Sequence, residues 1–368
     1  MGPGATIDLG YGRIVVQARI GEGGMGVVWR AWLFFAPDGP RANEAPVPLA
    51  LKVLRARTDE QPAMRSLFAN EADALKRLHH PNIVRFHDFF EWGGSLALAM
   101  ELVEGSTLED VVARHRARAK VAGAGRATGG SEGVPLGRAW YYFQQLLGAL
   151  AATHAINVVH RDVKPSNVLI RGDGIVKLSD YGIARLVRHP SPDSLALPPQ
   201  GKTPAMTAST AMAVGTGAYM SPEQVLSRPA DARSDLYSAA IVFYEMLAGR
   251  PPFSPDEKNE FSLRQDQVES APPPLRSLVP SAPPALEPLL ARALAKDPQY
   301  RFSSAMELGD AVRVALGERD TPEWRAQGEI ASQAPVPRGE GAQSAREAKL
   351  RTLSDLVESG YQAANPAR

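Results

Sequence analysis

Asp162, Lys164 and Asn167 put an acid, a cation and a neutral amide a few residues apart, inside His160-Arg161-Asp162-Val163-Lys164-Pro165-Ser166-Asn167. Those residue types together can handle a phosphate, a metal ion and a proton. A second acid, Asp180, stands in Ser179-Asp180-Tyr181-Gly182, directly after the apolar run Ile175-Val176-Lys177-Leu178. Near the N-terminus, Gly21-Glu22-Gly23-Gly24-Met25-Gly26-Val27-Val28 spaces its glycines so that a bare backbone can approach a polyphosphate and offer it N–H groups. A glycine-rich hairpin turn accounts for that pattern nearly as well, so the residues downstream must decide. Downstream lies Lys52, the one charge in Leu49-Ala50-Leu51-Lys52-Val53-Leu54. A lysine there needs an anion nearby or bears a desolvation cost, unless it lies at a strand edge and reaches water. Glu71, near the apolar face of the next helix, is an anion that would pair with it.

These side chains need elements to hold them. Residues Tyr11–Phe35 read as two strands joined by the glycine turn, followed by a loop, Ala36–Pro48, and the strand that carries Lys52. Apolar residues at helical spacing mark Ala63–Leu78, ended by His79-His80-Pro81. Ile83–Trp92 and Leu96–Leu102 form a hairpin turning at Gly93-Gly94, which completes a small antiparallel sheet. After it, helical patterns take over: Thr107–Arg116, Leu136–Ile156, the strongly apolar Asp231–Ala248 with Gly249 and Pro251 at its end, Ala285–Leu294 and Ser304–Leu316. The loop around Asp162 falls between the helix Leu136–Ile156 and a short buried strand, Val168–Ile170, so it is anchored at both ends. Ala117–Val134 reads as a solvated, locally basic insert and Arg185–Val214 as a long polar segment. From Gly317 the chain is polar, with one amphipathic stretch at Ala345–Val357; a solvated tail is the expectation, a helix docking on the domain or a second copy the alternative.

At 368 residues the chain is long enough for two lobes with a substantial core. Its formal net charge of +1 provides no basic field, so nucleic acid is not expected as a partner. There is no cysteine, which removes disulfide and thiol chemistry. Met1–Gly12 has neither a basic start nor an apolar run, and no stretch is apolar enough over enough residues to span a bilayer. A soluble, cytoplasmic protein is expected.

Taken in order, the motifs resemble those of the eukaryotic-type protein kinases, in the form found in bacterial Ser/Thr kinases. His-Arg-Asp-x-Lys-Pro-x-Asn at 160–167 resembles the catalytic loop, and Gly-x-Gly-x-x-Gly-x-Val at 21–28 the glycine-rich loop. A strand after the last glycine fits that family better than a dinucleotide fold, which needs a helix there. Ala50-x-Lys52 and Glu71 match the strand lysine and helix glutamate. Asp180 matches the metal-binding aspartate of Asp-Phe-Gly, with Tyr181 in place of phenylalanine; its hydroxyl must find a partner if buried. Gly215-Thr216-Gly217-Ala218-Tyr219-Met220-Ser221-Pro222-Glu223 resembles the Gly-Thr-x-x-Tyr-x-Ser-Pro-Glu pattern, and Arg301 sits where an arginine pairing with Glu223 is expected.

The resemblance implies an α+β, bilobal fold: an antiparallel-sheet lobe over 11–103, a mainly helical lobe over 104–317, an N-terminal extension before them and the tail 318–368 after. It implies transfer of the γ-phosphate of Mg-ATP to protein Ser or Thr hydroxyls. Gly21, Glu22, Gly23, Gly24, Met25, Gly26, Val28, Ala50, Lys52, Glu71, Met100, Glu101, Val103 and Leu169 would surround the nucleotide, with the Glu101 and Val103 backbones on adenine and Met100 behind it. Asn167 and Asp180 would hold Mg²⁺, Lys164 the transferring phosphate, and Asp162 would accept the hydroxyl proton, supported by Thr216. Asp235 would bond the backbone of the catalytic loop. Lys164 two residues after Asp162 resembles Ser/Thr rather than Tyr kinases. Arg161, a cation beside the catalytic acid, implies regulation by a phosphate on Thr210, with Thr207 and Ser209 as competitors, placed there by self-association and autophosphorylation. A scaffold without chemistry and a small-molecule phosphotransferase of the same fold are the alternatives; the intact Lys52, Glu71, Asp162, Asn167 and Asp180 speak against the first, and the long segment ending at Glu223 against the second.

Overall fold

Strand alternation does most of the sorting in the N-terminal lobe. The computed structural model describes residues 2–23, 26–57, 75–121, 133–181, 216–253 and 260–317. Its larger sheet is antiparallel, with strands β1 (Thr6–Asp8), β2 (Gly12–Gly23), β3 (Gly26–Phe35), β4 (Val47–Arg57), β5 (Phe86–Trp92) and β6 (Ser95–Glu101) in the order β1-β2-β3-β4-β6-β5. Lys52 on β4 pairs with Val28 on β3 and Leu98 on β6, and Ala50 pairs with Met100 two residues along. With a period of two these all lie on one face. Ala50, Leu98 and Met100 join the main core of the molecule there, with Val28 packed against it. The alternate residues Leu49, Leu51, Ala97 and Ala99 bury with Ile14, Ala31 and Leu33 in a separate cluster on the other face. The hairpin β5–β6 turns through Gly93 and Gly94, at φ 58° and 74°, a left-handed pair that suits glycine.

The C-terminal lobe is mainly helical. It contains α1 (Leu108–Val121), α2 (Leu136–Ala155), α3 (Pro222–Val225), α4 (Ala232–Ala248), α5 (Glu260–Glu269), α6 (Leu275–Leu278), α7 (Leu286–Ala293) and α8 (Ala305–Ala315). A small antiparallel sheet, β7 (Gly105–Thr107), β8 (Val168–Arg171) and β9 (Val176–Leu178), lies with them. Helix α4 is buried along almost its whole length, as its composition predicts. Its first turn is capped by the Asp231 carboxylate, which accepts the Arg233 N–H, and it ends at Gly249 with φ 77°. Phe143 of α2 stacks on Phe243 of α4 with ring centroids 4.4 Å apart, joining the two longest helices of the core.

Several elements differ from the sequence reading. Strand β1 lies inside the stretch set apart as an extension: Ile7 buries in the outer cluster, and Val16 N–H bonds Ala5 O, so the segment is part of the sheet. Three residues are too few to show alternation. Helix α1 runs on to Val121, past Arg116, and α5 has no counterpart in the sequence reading because few of its residues are apolar. Of the helix expected over Ala63–Leu78, only its end, helical at 75–77, is among the described residues. Gly24, Met25, Glu71, Thr207, Ser209, Thr210, most of the basic insert and the tail 318–368 lie outside them.

Candidate active site

The loop between α2 and β8 is shaped by one buried carboxylate. Asp235, on the first turn of α4, accepts the backbone N–H of His160 at 2.8 Å and of Arg161 at 2.7 Å, one on each side of its oxygens. His154, at the end of α2, donates its Nε2–H to the same group at 2.8 Å. Burial alone would push the Asp235 carboxyl up; His154 and His160 outweigh it and hold it below the ordinary aspartate value. Arg161 is thereby kept at φ 64°, a left-handed pose that a non-glycine residue needs support to maintain. Its carbonyl accepts from Gln224 Nε2 at 2.9 Å, so the loop is also tied to α3.

His160 is fully buried, and burial lowers its pKa, so the ring is neutral. Its tautomer follows from its partners: Nδ1 accepts the Asp162 N–H at 3.3 Å and Nε2–H donates to Ser179 O at 2.9 Å. One imidazole thus bridges the residue before Asp180 and the backbone of Asp162. The Asp162 carboxylate accepts from Lys164 Nζ at 2.9 Å and from Asn167 Nδ2 at 3.0 Å. Asn167 Nδ2 also donates to Asp162 O at 2.8 Å, which consumes its amide hydrogens and leaves Oδ1 as the atom able to meet a cation. Ser179 N–H and Oγ–H both donate to Asn167 O, at 2.9 and 3.0 Å, locking the strand that delivers Asp180 to the loop that carries Asn167.

Asp180 itself sits at φ 56°, with its carboxylate 2.8 Å from Lys52 Nζ. Burial pushes that carboxyl up, and the charge and hydrogen bond of Lys52, with the charge of Lys164, reverse the effect and leave it below the ordinary value. Lys52 is 7% exposed, so the snorkelling alternative does not hold: the anion it meets is Asp180. The two carboxylates and two lysines that the sequence singled out therefore share one neighbourhood, at the junction of the lobes.

The glycines do different work. A Cβ on Gly26 would lie 2.2 Å from Val53 O, so the close approach of β3 to β4 requires a glycine there. A Cβ on Gly23 would meet nothing within 4 Å, and one on Gly21 only Val28 at ordinary contact distance. Among the described residues nothing demands glycine at 21 or 23, which is the pattern of a cradle left clear for a ligand. At the far edge, Met100 is buried, and Leu169 on β8 packs against the same core. Glu101 faces away: its Oε2 accepts from Lys177 Nζ at 2.9 Å and from Arg85 N–H at 3.0 Å, while its own N–H donates to Arg85 O. Among the described residues, Val103 makes no backbone–backbone hydrogen bond outside the regular elements.

Further along the chain, the turn Thr216–Tyr219 precedes α3. Glu223 and Arg301 meet in a buried, two-armed ion pair with both N···O distances 2.8 Å, and Ser234 Oγ donates to the same carboxylate. Gln267 of α5 donates Nε2–H to Gly217 O, and Tyr219 donates its hydroxyl to Glu245 at 2.7 Å. Lys177, Gln224, Gln267 and Thr153, which accepts the Tyr181 hydroxyl, were not legible as site residues, since each acts through a partner distant in sequence.

Residues 14–311 match the family model described as the protein kinase domain. Serine/threonine-protein kinase PknL of Mycobacterium tuberculosis is 33% identical over 313 residues, which span 85% of this chain and 68% of that protein. Serine/threonine-protein kinase PknJ of the same species is 34% identical over 313 residues, 84% of this chain and 46% of that one. Among solved structures, the M. tuberculosis PknI kinase domain superposes with a TM-score of 0.59 at 26% identity, covering 86% of this chain and 99% of that one.

Proposed function

The chain belongs to the protein kinase family and is a serine/threonine kinase, and from that premise we propose that ATP is bound between the two lobes, with its phosphates at Lys52 and Asp180. The observation that carries this reading is the meeting of Lys52 with Asp180 at 2.8 Å, beside a loop in which Asp162, Lys164 and Asn167 touch one another.

The donor set fits magnesium. Among the described residues no three His, Cys, Asp or Glu side chains gather as a metal site, and Mg²⁺ is usually held by one or two carboxylates together with substrate phosphates and water. Asn167 Oδ1 and the Asp180 carboxylate would supply the protein's share. When bound, the ion neutralises charge on the transferring phosphate. Lys52 binds the α- and β-phosphates, and Gly21 and Gly23 leave the backbone of the glycine turn open to them. The Glu101 and Val103 backbones take adenine, against Val28, Ala50, Met100 and Leu169. Lys164 balances negative charge on the group in transit. Asp162, held by Lys164 and Asn167, orients the acceptor hydroxyl and receives its proton late, since a loose transition state asks little basicity of it. Thr216 supports Asp162 and Lys164, and Glu71 pairs with Lys52. A kinase drawing on ATP fits the cytoplasm; among the described residues no helix is long and apolar enough to cross a membrane.

Regulation by phosphate on Thr210, Thr207 or Ser209 is inferred from Arg161, whose guanidinium is the cation nearest Asp162 in sequence. One preparation tests both proposals. With radiolabelled ATP, the wild-type chain should label Ser and Thr peptides over Tyr peptides, and Asp162→Asn should lower the rate by about 10²- to 10⁴-fold with nucleotide affinity kept. Mass spectrometry should find phosphate on the 207–210 hydroxyls in wild type and not in Asp162→Asn. Equal labelling of both proteins would end the self-activation proposal.

A further inference from the structure

Tyr181 stands where the family carries phenylalanine, and its buried hydroxyl has a partner the sequence did not advertise. Thr153, buried in the last turn of α2, donates its hydroxyl hydrogen to Ala149 O at 2.8 Å. That leaves its Oγ1 lone pairs for the Tyr181 O–H, 2.9 Å away. The Tyr181 ring packs 4.5 Å from the His160 imidazole, so both the apolar body and the polar tip of the side chain are held. The residue before it, Asp180, keeps a left-handed φ of 56°, which persists only where neighbours impose it. The next residue along the same turn of helix, His154, anchors Asp235 and through it the catalytic loop. The end of α2 therefore grips both arms of the site.

We propose that Thr153 is a positioning residue for Asp180: by accepting the Tyr181 hydroxyl it keeps the Asp180 carboxylate beside Lys52, in place to hold the nucleotide-bound metal. This rests on the proposed role of Asp180 as a metal-holding residue. The physical basis is an asymmetry between making and losing a buried hydrogen bond. Thr153→Val keeps the shape of the side chain and strips the Tyr181 O–H of its acceptor, and the relief open to the tyrosine is to swing away, carrying Asp180 with it. With phenylalanine at 181 there is no hydroxyl to strand, so Thr153→Val then costs nothing at the site.

Thermal unfolding of the full chain with ADP, across a Mg²⁺ titration, reads this without any phosphoryl transfer. Wild type gains Tm from Mg²⁺ beyond the gain from ADP alone. Thr153→Val is expected to raise the Mg²⁺ concentration for half of that gain by about tenfold. Thr153→Ser should match wild type, and Thr153→Val combined with Tyr181→Phe should return to it. If Thr153→Val does not fold, Thr153→Cys, a weaker acceptor, is read in the same way with a smaller shift. A simple packing defect would lower the baseline Tm and leave the Mg²⁺ dependence where it was. That outcome, or a double variant that fails to recover, overturns the proposal. Asp180→Asn separates the two layers. If it keeps the Mg²⁺ gain, the reading of Asp180 falls and this proposal with it; if it loses the gain while Thr153→Val behaves as wild type, the role of Thr153 alone falls.

Discussion

Asp162 is fixed from several directions: Lys164 and Asn167 on its carboxylate, His160 on its backbone. A group held this way contributes by alignment, and its proton-accepting strength matters less. Glu245 is the contrasting residue, since burial pushes its carboxyl up to about 7 even though the Tyr219 hydroxyl bonds it. Its ordinary value is 4.5, so the folded state holds this proton more tightly than the unfolded chain does. The stability conferred is whole below about pH 4.5 and is lost as pH rises through about 7, a change of roughly 3 kcal/mol. Asp235 and Glu223, both held below their ordinary values, carry the opposite sign: their contribution is present above the ordinary carboxylate range and is lost as pH falls below it, through their lowered values. Glu245→Gln should therefore gain Tm relative to wild type as pH is raised from about 5 to 8, because the amide accepts the Tyr219 hydroxyl without a charge to bury. A gap between the two melting curves that stays constant over that range would show that Glu245 does not titrate there.

At the scale of elements, alternation along β3, β4 and β6 settles which residues face the site. The same period that puts Val28, Ala50, Lys52 and Met100 on one side sends Leu49, Leu51 and Ala99 to the other. The glycine hairpin was legible as a hairpin; the division of labour among its glycines was not, because it depends on how near β4 comes to β3. Gly26→Ala would drive a methyl into Val53 O and should destabilise the lobe, by about 1–3 kcal/mol in chemical denaturation. The methyl of Gly23→Ala meets nothing within 4 Å among the described residues, so the stability of this variant should be that of wild type. Its expected effect is on ATP, with KM raised by about tenfold, or ~1.4 kcal/mol. Loss of stability in Gly23→Ala at unchanged ATP KM would mean that this glycine serves the fold. Helix α5 and strand β1 show where pattern reading stops: one offers few apolar residues, the other is too short to alternate, and both take their form from what they pack against.

Over the whole molecule, the site depends on ties between residues far apart along the chain. Lys177 links β9, which leads to Asp180, with Glu101 at the end of β6. Glu223 and Arg301 join the segment after Tyr219 to the approach to α8, and the guanidinium also donates to Ala295 O and Lys296 O. Every charge in that pair is buried and answered. Arg301→Ala would leave the Glu223 carboxylate buried and uncompensated, a loss of about 3–5 kcal/mol in unfolding free energy by urea titration. A loss under about 1 kcal/mol would place the pair with exposed ion pairs, which contribute little.

The sequence by itself determined which chemical groups are present, their order, and the local periods that make each segment a strand or a helix. Those are properties of a few consecutive residues, and the motifs at 21–28, 160–167 and 215–223 could be read from them directly. Tertiary structure alone decided that Lys52 meets Asp180, that Gly26 rather than Gly23 serves the fold, and that Thr153 receives the hydroxyl of a tyrosine 28 residues away. Contacts of that kind arise only when packing closes loops between distant segments, and no local pattern encodes the distances that result.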